Sequence, residues 1–298
     1  MSAAPQRPAD RNGLLYGLAA YGMWGVFPAY FTLLAPSGAP EILAHRIVWT
    51  VLLMAVLLVA TGRLGDLRLI TARTWLLLAL ASALISTNWL IYIWAVNSGD
   101  VVDAALGYFI TPLVSVLLGV MLFGERLNRI QIVAVLLAVA AVILMSSGVG
   151  LPWIGIGLAL SFGMYGAVKK MVPTDPRVSV AVETAVAAPF ALVYLMVLQV
   201  TGDADFVNHG PAHTALMLLC GPVTAVPLLC FAAAAQRLPL VALGLLQYLT
   251  PSMQLTWGVL VDHEPMSATR WTGFMLIWGA LAIFSGDALR RARMSRQK

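Results

Sequence analysis

The sequence predicts an all-α membrane protein of about ten transmembrane helices, arranged as two related five-helix halves inserted in opposite orientations. Three observations carry this expectation. Apolar residues dominate along the whole chain, the basic residues fall in alternate connections, and segments of the first half recur in the second.

Of the 298 residues, 60% are hydrophobic and 10% are charged, whereas a soluble domain carries roughly 25% charged residues. The mean hydropathy of +0.88 is spread along the chain rather than concentrated at one end. Such a chain cannot cover itself with polar surface, so its predicted partner is the lipid bilayer and no separate soluble domain is left over. The net charge of +5 is divided into short clusters between apolar spans. That pattern is a topology signal, and no nucleic-acid partner is expected. Cys220 and Cys230 stand ten residues apart in one apolar run. A helix would hold them about 15 Å apart along its axis, too far for a disulfide or a shared metal.

Apolar runs close to the ~20 residues that cross a bilayer cover 14–34, 41–61, 75–96, 102–123 and 130–146, then 152–172, 178–200, 214–235, 240–261 and 267–288. Continuous apolar runs lack the alternation of a transmembrane barrel, so each is read as a helix. Arg7 and Arg11 ahead of Leu14 look like the start of a signal peptide, but the run reaches Leu34, long enough to span and to be retained.

All but Arg46 and Arg270 of the 18 basic residues lie on one side of this arrangement: Arg7, Arg11, Arg63, Arg68, Arg73, Arg126, Arg129, Lys169, Lys170, Arg177, Arg237, Arg290, Arg291, Arg293, Arg296 and Lys298. Both termini are therefore predicted to be cytoplasmic, in a plasma or bacterial inner membrane. The chain divides into a cytoplasmic tail (1–12), a first five-helix repeat (13–147), a second (148–288) and a basic cytoplasmic tail (289–298).

Shifting the chain by 139 residues places Phe109-Ile110-Thr111-Pro112 on Tyr248-Leu249-Thr250-Pro251, and Glu125 on Glu264. A shift of 141 places Tyr21-Gly22-Met23-Trp24-Gly25 on Phe162-Gly163-Met164-Tyr165-Gly166. An odd number of spans per half inverts one half relative to the other.

Polar residues inside the spans mark candidate binding positions. Tyr108, Thr111 and Ser115 share one face of span four, and the 139 shift yields Gln247, Thr250 and Gln254 in span nine. Such stripes should face the bundle interior or a water-filled cavity. Pro112 and Pro251 cannot bond the carbonyls of Tyr108 and Gln247, so both spans are expected to be interrupted or kinked there, with a role in gating. Asn88 and Tyr92 lie one turn apart in span three beside Trp89 and Trp94, while Trp24 and Tyr165 occupy matched places in spans one and six. Aromatics at interior height are expected either to stack on a flat solute or to pack the core.

Two ionisable residues sit inside spans. Arg46 in span two is expected to meet Asp100 or Asp103, or to bind an anionic group of the solute; Glu183 in span seven is expected to pair with Lys169 or Lys170, or to carry a coupling proton. Spacings such as Gly13–Gly17 and Gly22–Gly25 point to close helix packing. Asp203, Asp205, His209 and His213 form no tight constellation, so no metal and no cofactor are expected. The spans hold no His-Glu-x-x-His and no Walker A, which argues against an intramembrane enzyme and against an ATP-driven pump; no catalytic residues are assigned. A passive channel is the alternative to a carrier. Oligomeric state is not written in the sequence.

Several segments together carry a family likeness: Glu41-Ile42-Leu43-Ala44-His45-Arg46 with Trp49; Asn88-Trp89-Leu90 through Trp94-Ala95-Val96-Asn97; Gly107-Tyr108-Phe109; Gly124-Glu125-Arg126; and Val226-Pro227-Leu228-Leu229-Cys230-Phe231. On these, almost the whole chain resembles the RarD family, named for chloramphenicol sensitivity, in the EamA group of the drug/metabolite transporter superfamily. The resemblance implies two EamA repeats and a secondary transporter of small organic solutes whose central cavity opens alternately to each side. The superfamily's substrates are diverse, among them amino acids, nucleotide sugars and other metabolites. It also implies a pocket mainly between spans one, three, four, six, eight and nine. The candidate binding residues, from the polar, aromatic and ionisable positions above, are Trp24, Arg46, Asn88, Tyr92, Tyr108, Thr111, Tyr165, Gln247 and Thr250, with Glu183, Pro112 and Pro251 as candidates for coupling or gating.

Overall fold

The computed structural model describes residues 11–146, 153–263 and 266–295. Within them the chain forms twelve α-helices and one short 3-10 helix: α1 (Arg11–Gly25), α2 (Phe27–Thr32), α3 (Ala39–Ala60), the 3-10 turn (Leu64–Leu69), α4 (Ala72–Asn97), α5 (Val101–Phe123), α6 (Arg129–Ser146), α7 (Trp153–Met171), α8 (Pro176–Thr201), α9 (Gly210–Arg237), α10 (Leu240–Leu246), α11 (Leu249–Leu260) and α12 (Ala268–Ser295). Five of them, α3, α4, α5, α8 and α9, are long and apolar enough to cross a membrane by length and composition. Glu264, Pro152, Arg7 and the last basic residues of the C-terminal tail, Arg296 and Lys298, lie outside the described residues.

Local chemistry sets the helix ends. Pro40 and Pro176 open α3 and α8, where a missing N–H costs nothing. Thr71 accepts from the Thr74 N–H as the N-cap of α4, and Asp175 accepts from Arg177 N at α8. Gly124 ends α5 at φ 62, a left-handed conformation that any side chain would strain.

Two predicted spans are broken and one is not. Span one divides at Val26 into α1 and α2 because Pro28 cannot bond the Trp24 carbonyl. That carbonyl instead accepts from Gln254 Nε2 at 3.2 Å. Span nine divides at Gln247–Tyr248, and the Gln247 carbonyl that Pro251 leaves free accepts from Thr250 N at 3.1 Å. Span four corrects the expectation of matched interruptions: α5 continues through Pro112 to Phe123. Here the long helix is clamped on α7 and on the α10–α11 pair, and packing holds it through the proline.

The helices pack in pairs: α1 against α9 and α4 against α7; α5 against α7 and α1 against α11; α3 against α8, α6 against α12, and α5 against α10 and α11. At the α5–α7 crossing, Gly107 and Gly155 face each other so closely that a Cβ on Gly107 would sit 2.7 Å from the Gly155 Cα. Gly13 and Gly17 act in the same way, α1 lying over Leu238 and Leu246. Apolar side chains such as Phe190, Val193, Met196, Val197 and Val200 on α8 point outward, as a lipid-facing surface requires.

The connections gather at two ends. At one, Arg63 meets Asp175 (3.3 Å), Lys170 meets Glu125 (3.5 Å), and Glu125 accepts from Leu240 N (3.0 Å). At the other, Glu41 accepts from Asp205 N (2.9 Å), Arg270 meets Asp103 (2.9 Å), and Ser37 bonds His213 (2.9 Å).

Candidate functional site

Between these ends lies a buried cavity lined by Tyr21 and Trp24 of α1, Phe27 of α2, Arg46 of α3, Asn88, Trp89 and Tyr92 of α4, Tyr108 of α5, Phe162 of α7, Gln247 from the α10–α11 break, and Thr250 and Gln254 of α11. The space between its lining atoms, counted out to where it opens, is about 400 Å³, but the centre of a water molecule can move through only about 30 Å³ of it. A water needs about 10–15 Å³ on this measure, and the pockets that hold drug-sized ligands measure roughly 300–1,000 Å³. The cavity as it stands therefore has room for a water or two, and an organic solute requires the walls to part.

Seven of the nine predicted binding residues line this cavity: Trp24, Arg46, Asn88, Tyr92, Tyr108, Gln247 and Thr250. Thr111 does not, because its hydroxyl turns back on its own helix and donates to the Gly107 carbonyl at 3.0 Å. Tyr165 stands one layer behind, its ring stacked on Phe231 and its hydroxyl donating to Glu183 Oε2 at 3.1 Å. Trp94 is at the surface against Trp153. Phe27 was not singled out in the sequence. The break at Val26 turns it inward, and that break is the one its neighbour Pro28 could have signalled. The lining also replaces the implied contribution of span eight by that of span two, through Arg46; α9 stands behind, holding Arg46 through Thr224.

Arg46 is the dominant charge of the site. It is 1% exposed, so its charge is withdrawn from water. The expected partners are not there: Asp103 is taken by Arg270, and no carboxylate pairs with Arg46 among the described residues. Its Nε donates to Thr224 Oγ1 at 3.1 Å, and its Cζ lies 4.2, 5.1 and 5.6 Å from the ring centres of Trp89, Phe31 and Phe27. A desolvated cation–π contact is worth ~2 kcal/mol and a hydrogen bond from a charged donor about 1.5–3 kcal/mol, against several kcal/mol for burying the ion. The cage makes the charge tolerable. It leaves Nη1 and Nη2 without a hydrogen-bond partner.

The other polar groups divide into those already used and those left over. Asn88 is fully engaged: Nδ2 donates to Leu158 O (3.1 Å) and Ser161 Oγ (3.0 Å), and Oδ1 accepts from Tyr108 (3.0 Å). Thr250 donates to the Tyr21 carbonyl at 2.7 Å. By contrast, the hydroxyls of Tyr21 and Tyr92, Gln247 Nε2 and Gln254 Oε1 make no hydrogen bond although buried. Around them the aromatics meet edge to face, Trp24 on Phe162 at 5.4 Å and Tyr21 on Trp24 at 5.7 Å.

Glu183 is 2% exposed and pairs with Lys169, not Lys170, and also accepts from Ser179 Oγ (2.8 Å). Lys170 serves Glu125 and the Leu238 carbonyl instead. The acidic and histidine connection forms local pairs, His209 on Asp205 at 2.9 Å and His213 on Ser37.

Known proteins carry the same organisation. Residues 11–147 match the model of the EamA-like transporter family. Protein RarD of Streptomyces exfoliatus is 50% identical over 97% of this chain and 93% of its own length. The transporter YojE of Bacillus subtilis is 41% identical over 98% of this chain and 99% of its own, and protein RarD of Escherichia coli is 40% identical over 95% and 97%. A crystal structure only 16% identical shares the fold, with a TM-score of 0.67 over 91% of this chain and 97% of that one. These relatives mark a membrane transporter rather than an enzyme. The chain belongs to the RarD family, within the EamA-type drug/metabolite transporters.

Proposed function

We propose that this protein is a secondary transporter that carries small organic solutes through the cell membrane by alternating access, the halves 13–147 and 148–288 rocking about the buried cavity. The observation that carries the reading is that cavity, buried and nearly closed, with polar groups left unpaired inside it. A static pore has no use for such a chamber; a carrier passes through it as the state between two openings.

The packing pairs support two related halves, which an odd number of spans per half would insert in opposite senses. Exchanging α1–α2 with α7, α3 with α8, α4 with α9, α5 with α10–α11 and α6 with α12 turns the pair α1–α9 into α7–α4 and α5–α7 into α11–α1. Of the remaining major pairs, α3–α8, α6–α12 and α5 with α10–α11 map onto themselves, and α3–α9 turns into α8–α4. The placement of basic residues supports cytoplasmic termini. Trp24, Arg46, Asn88, Tyr92, Tyr108, Gln247 and Thr250 are proposed to meet the solute. Thr111 and Tyr165 are assigned to support behind them. Pro112 and Pro251 are proposed to ease bending of α5 and α11 as the halves move. A proton on Glu183 is the proposed coupling ion, since Glu183 bonds Tyr165, which stacks on Phe231, which meets Trp24 at 5.5 Å.

Purified protein in proteoliposomes tests this. Saturable uptake of labelled organic solutes, accelerated by the same solute on the other side, is expected. Flux that rises without saturation and shows no counter-transport would make the protein a channel.

A further inference from the structure

The groups left over in the cavity are not balanced. Arg46 offers two unpartnered guanidinium nitrogens and Gln247 an unpartnered amide nitrogen, while Gln254 alone offers an acceptor that cannot also donate. The one formal charge is positive, nine-tenths or more buried, and unpaired by any carboxylate among the described residues. The wall beside it is the flat face of Trp89, 4.2 Å from Cζ. A neutral cargo would leave that charge desolvated and its fork unused; an anion would complete it with short, charge-assisted bonds in a medium of low dielectric.

We propose that the cargo of this cavity is a small organic acid, its anionic group seated on Nη1 and Nη2 of Arg46 and its flat apolar body against the aromatic wall. This rests on the transporter reading for the word cargo, but the anion site itself does not. Gln254 Oε1, the acceptor, is placed to take a hydrogen-bond donor elsewhere on the same molecule. Inorganic anions share the charge and lack the body.

The test compares acids with their own amides on the full-length purified protein, by thermal shift: phenylacetate against phenylacetamide and indole-3-acetate against indole-3-acetamide, with sodium chloride and sodium phosphate as further arms. Each acid is expected to bind at least about tenfold more tightly than its amide, the size of one charge-assisted hydrogen bond. Arg46→Gln is expected to erase that preference, and Arg46→Lys to retain part of it, since an ammonium keeps the charge but not the fork. Amides equal to acids, no shift with any acid, or a preference that survives Arg46→Gln each overturns the proposal. Phosphate or chloride matching the organic acids overturns the part played by the apolar body. Should Arg46→Gln fail to fold, the acid–amide comparison on the unaltered protein decides alone. Proteoliposome uptake separates the two readings. Saturable uptake of amide and acid alike keeps the transporter and removes the acid site; acid-selective binding without uptake keeps the acid site and removes the transporter.

Discussion

The Lys169–Glu183 pair is the residue-scale feature most open to measurement. Both side chains are 2% exposed, and Ser179 and Tyr165 supply the remaining bonds to the carboxylate. Breaking a buried pair strands the surviving charge, at about 3–5 kcal/mol, whereas replacing both partners by apolar groups is close to neutral. Glu183→Gln is thus expected to lower the melting temperature in detergent strongly, and Lys169→Met with Glu183→Leu to restore most of it; equal melting of the single variant and wild type would show that the pair adds no stability. Asp175, ahead of α8, gives a pH-dependent case. The Arg177 guanidinium that bonds it, the Arg177 N–H, and the charges of Arg177 and Arg63 hold its carboxyl below the usual range, against the opposing effect of burial. A carboxyl depressed on folding stabilises above its unfolded pKa of about 3.9, and that contribution is lost as pH falls through the lower folded value. Asp175→Ala should cost about 1 kcal/mol as a lost cap. Asp175→Asn should cost less, and its deficit against wild type should begin to shrink as the pH falls below about 4 and vanish below the lower folded value. The sequence made Lys169–Glu183 legible because two lysines lie close before the glutamate. It could not reveal that Arg46 lacks a carboxylate, because that depends on Asp103 finding Arg270 across the bundle on α12.

At the scale of elements, the apolar runs located the helices to within a few residues, except that α12 continues past 288 through Arg290, Arg291 and Arg293 to Ser295, but proline alone did not say which would break. Pro28 and Pro251 follow breaks at Val26 and Gln247–Tyr248, and at each break a side chain or amide of α11 takes the freed carbonyl: Gln254 for Trp24, Thr250 N for Gln247. Pro112 stands in a helix clamped along its length and breaks nothing. The deciding information is tertiary, so the polar stripe of span nine was readable while its work of bonding α1 was not. The clamp on α5 makes its own prediction. A methyl on Gly107 meets backbone at 2.7 Å, which no rotamer change relieves, whereas a Cβ on Gly65 meets nothing within 4 Å. Gly107→Ala is expected to destabilise by about 1–3 kcal/mol through overpacking. Gly65→Ala, as the control, should melt with wild type.

For the whole molecule, the alternating-access proposal makes the two ends separate latches on one chamber. Glu41 holds the backbone of the 202–209 connection through Asp205 N, and Ser37 holds α9 through His213, at the end predicted to be external; Lys170 and Glu125 hold the start of α10 at the other. Cys220 is a built-in reporter of the first latch. It lies on α9 between His213 and Thr224, is 0% exposed, and its sulfur accepts from Tyr30, so in the closed state a thiol reagent cannot reach it. In a Cys230→Ser background, which removes the half-buried second thiol, a membrane-impermeant maleimide added outside should label Cys220 slowly. Glu41→Ala frees the connection from α3 and should raise that rate several-fold by populating the outward-open state. Glu125→Gln loosens the opposite end, shifts the equilibrium the other way, and should slow external labelling. The two substitutions acting with opposite sign on a cysteine that neither touches is what coupled halves require. If both raised the rate, the ends would be fraying independently, and the chamber would be a loosely packed core with no access cycle.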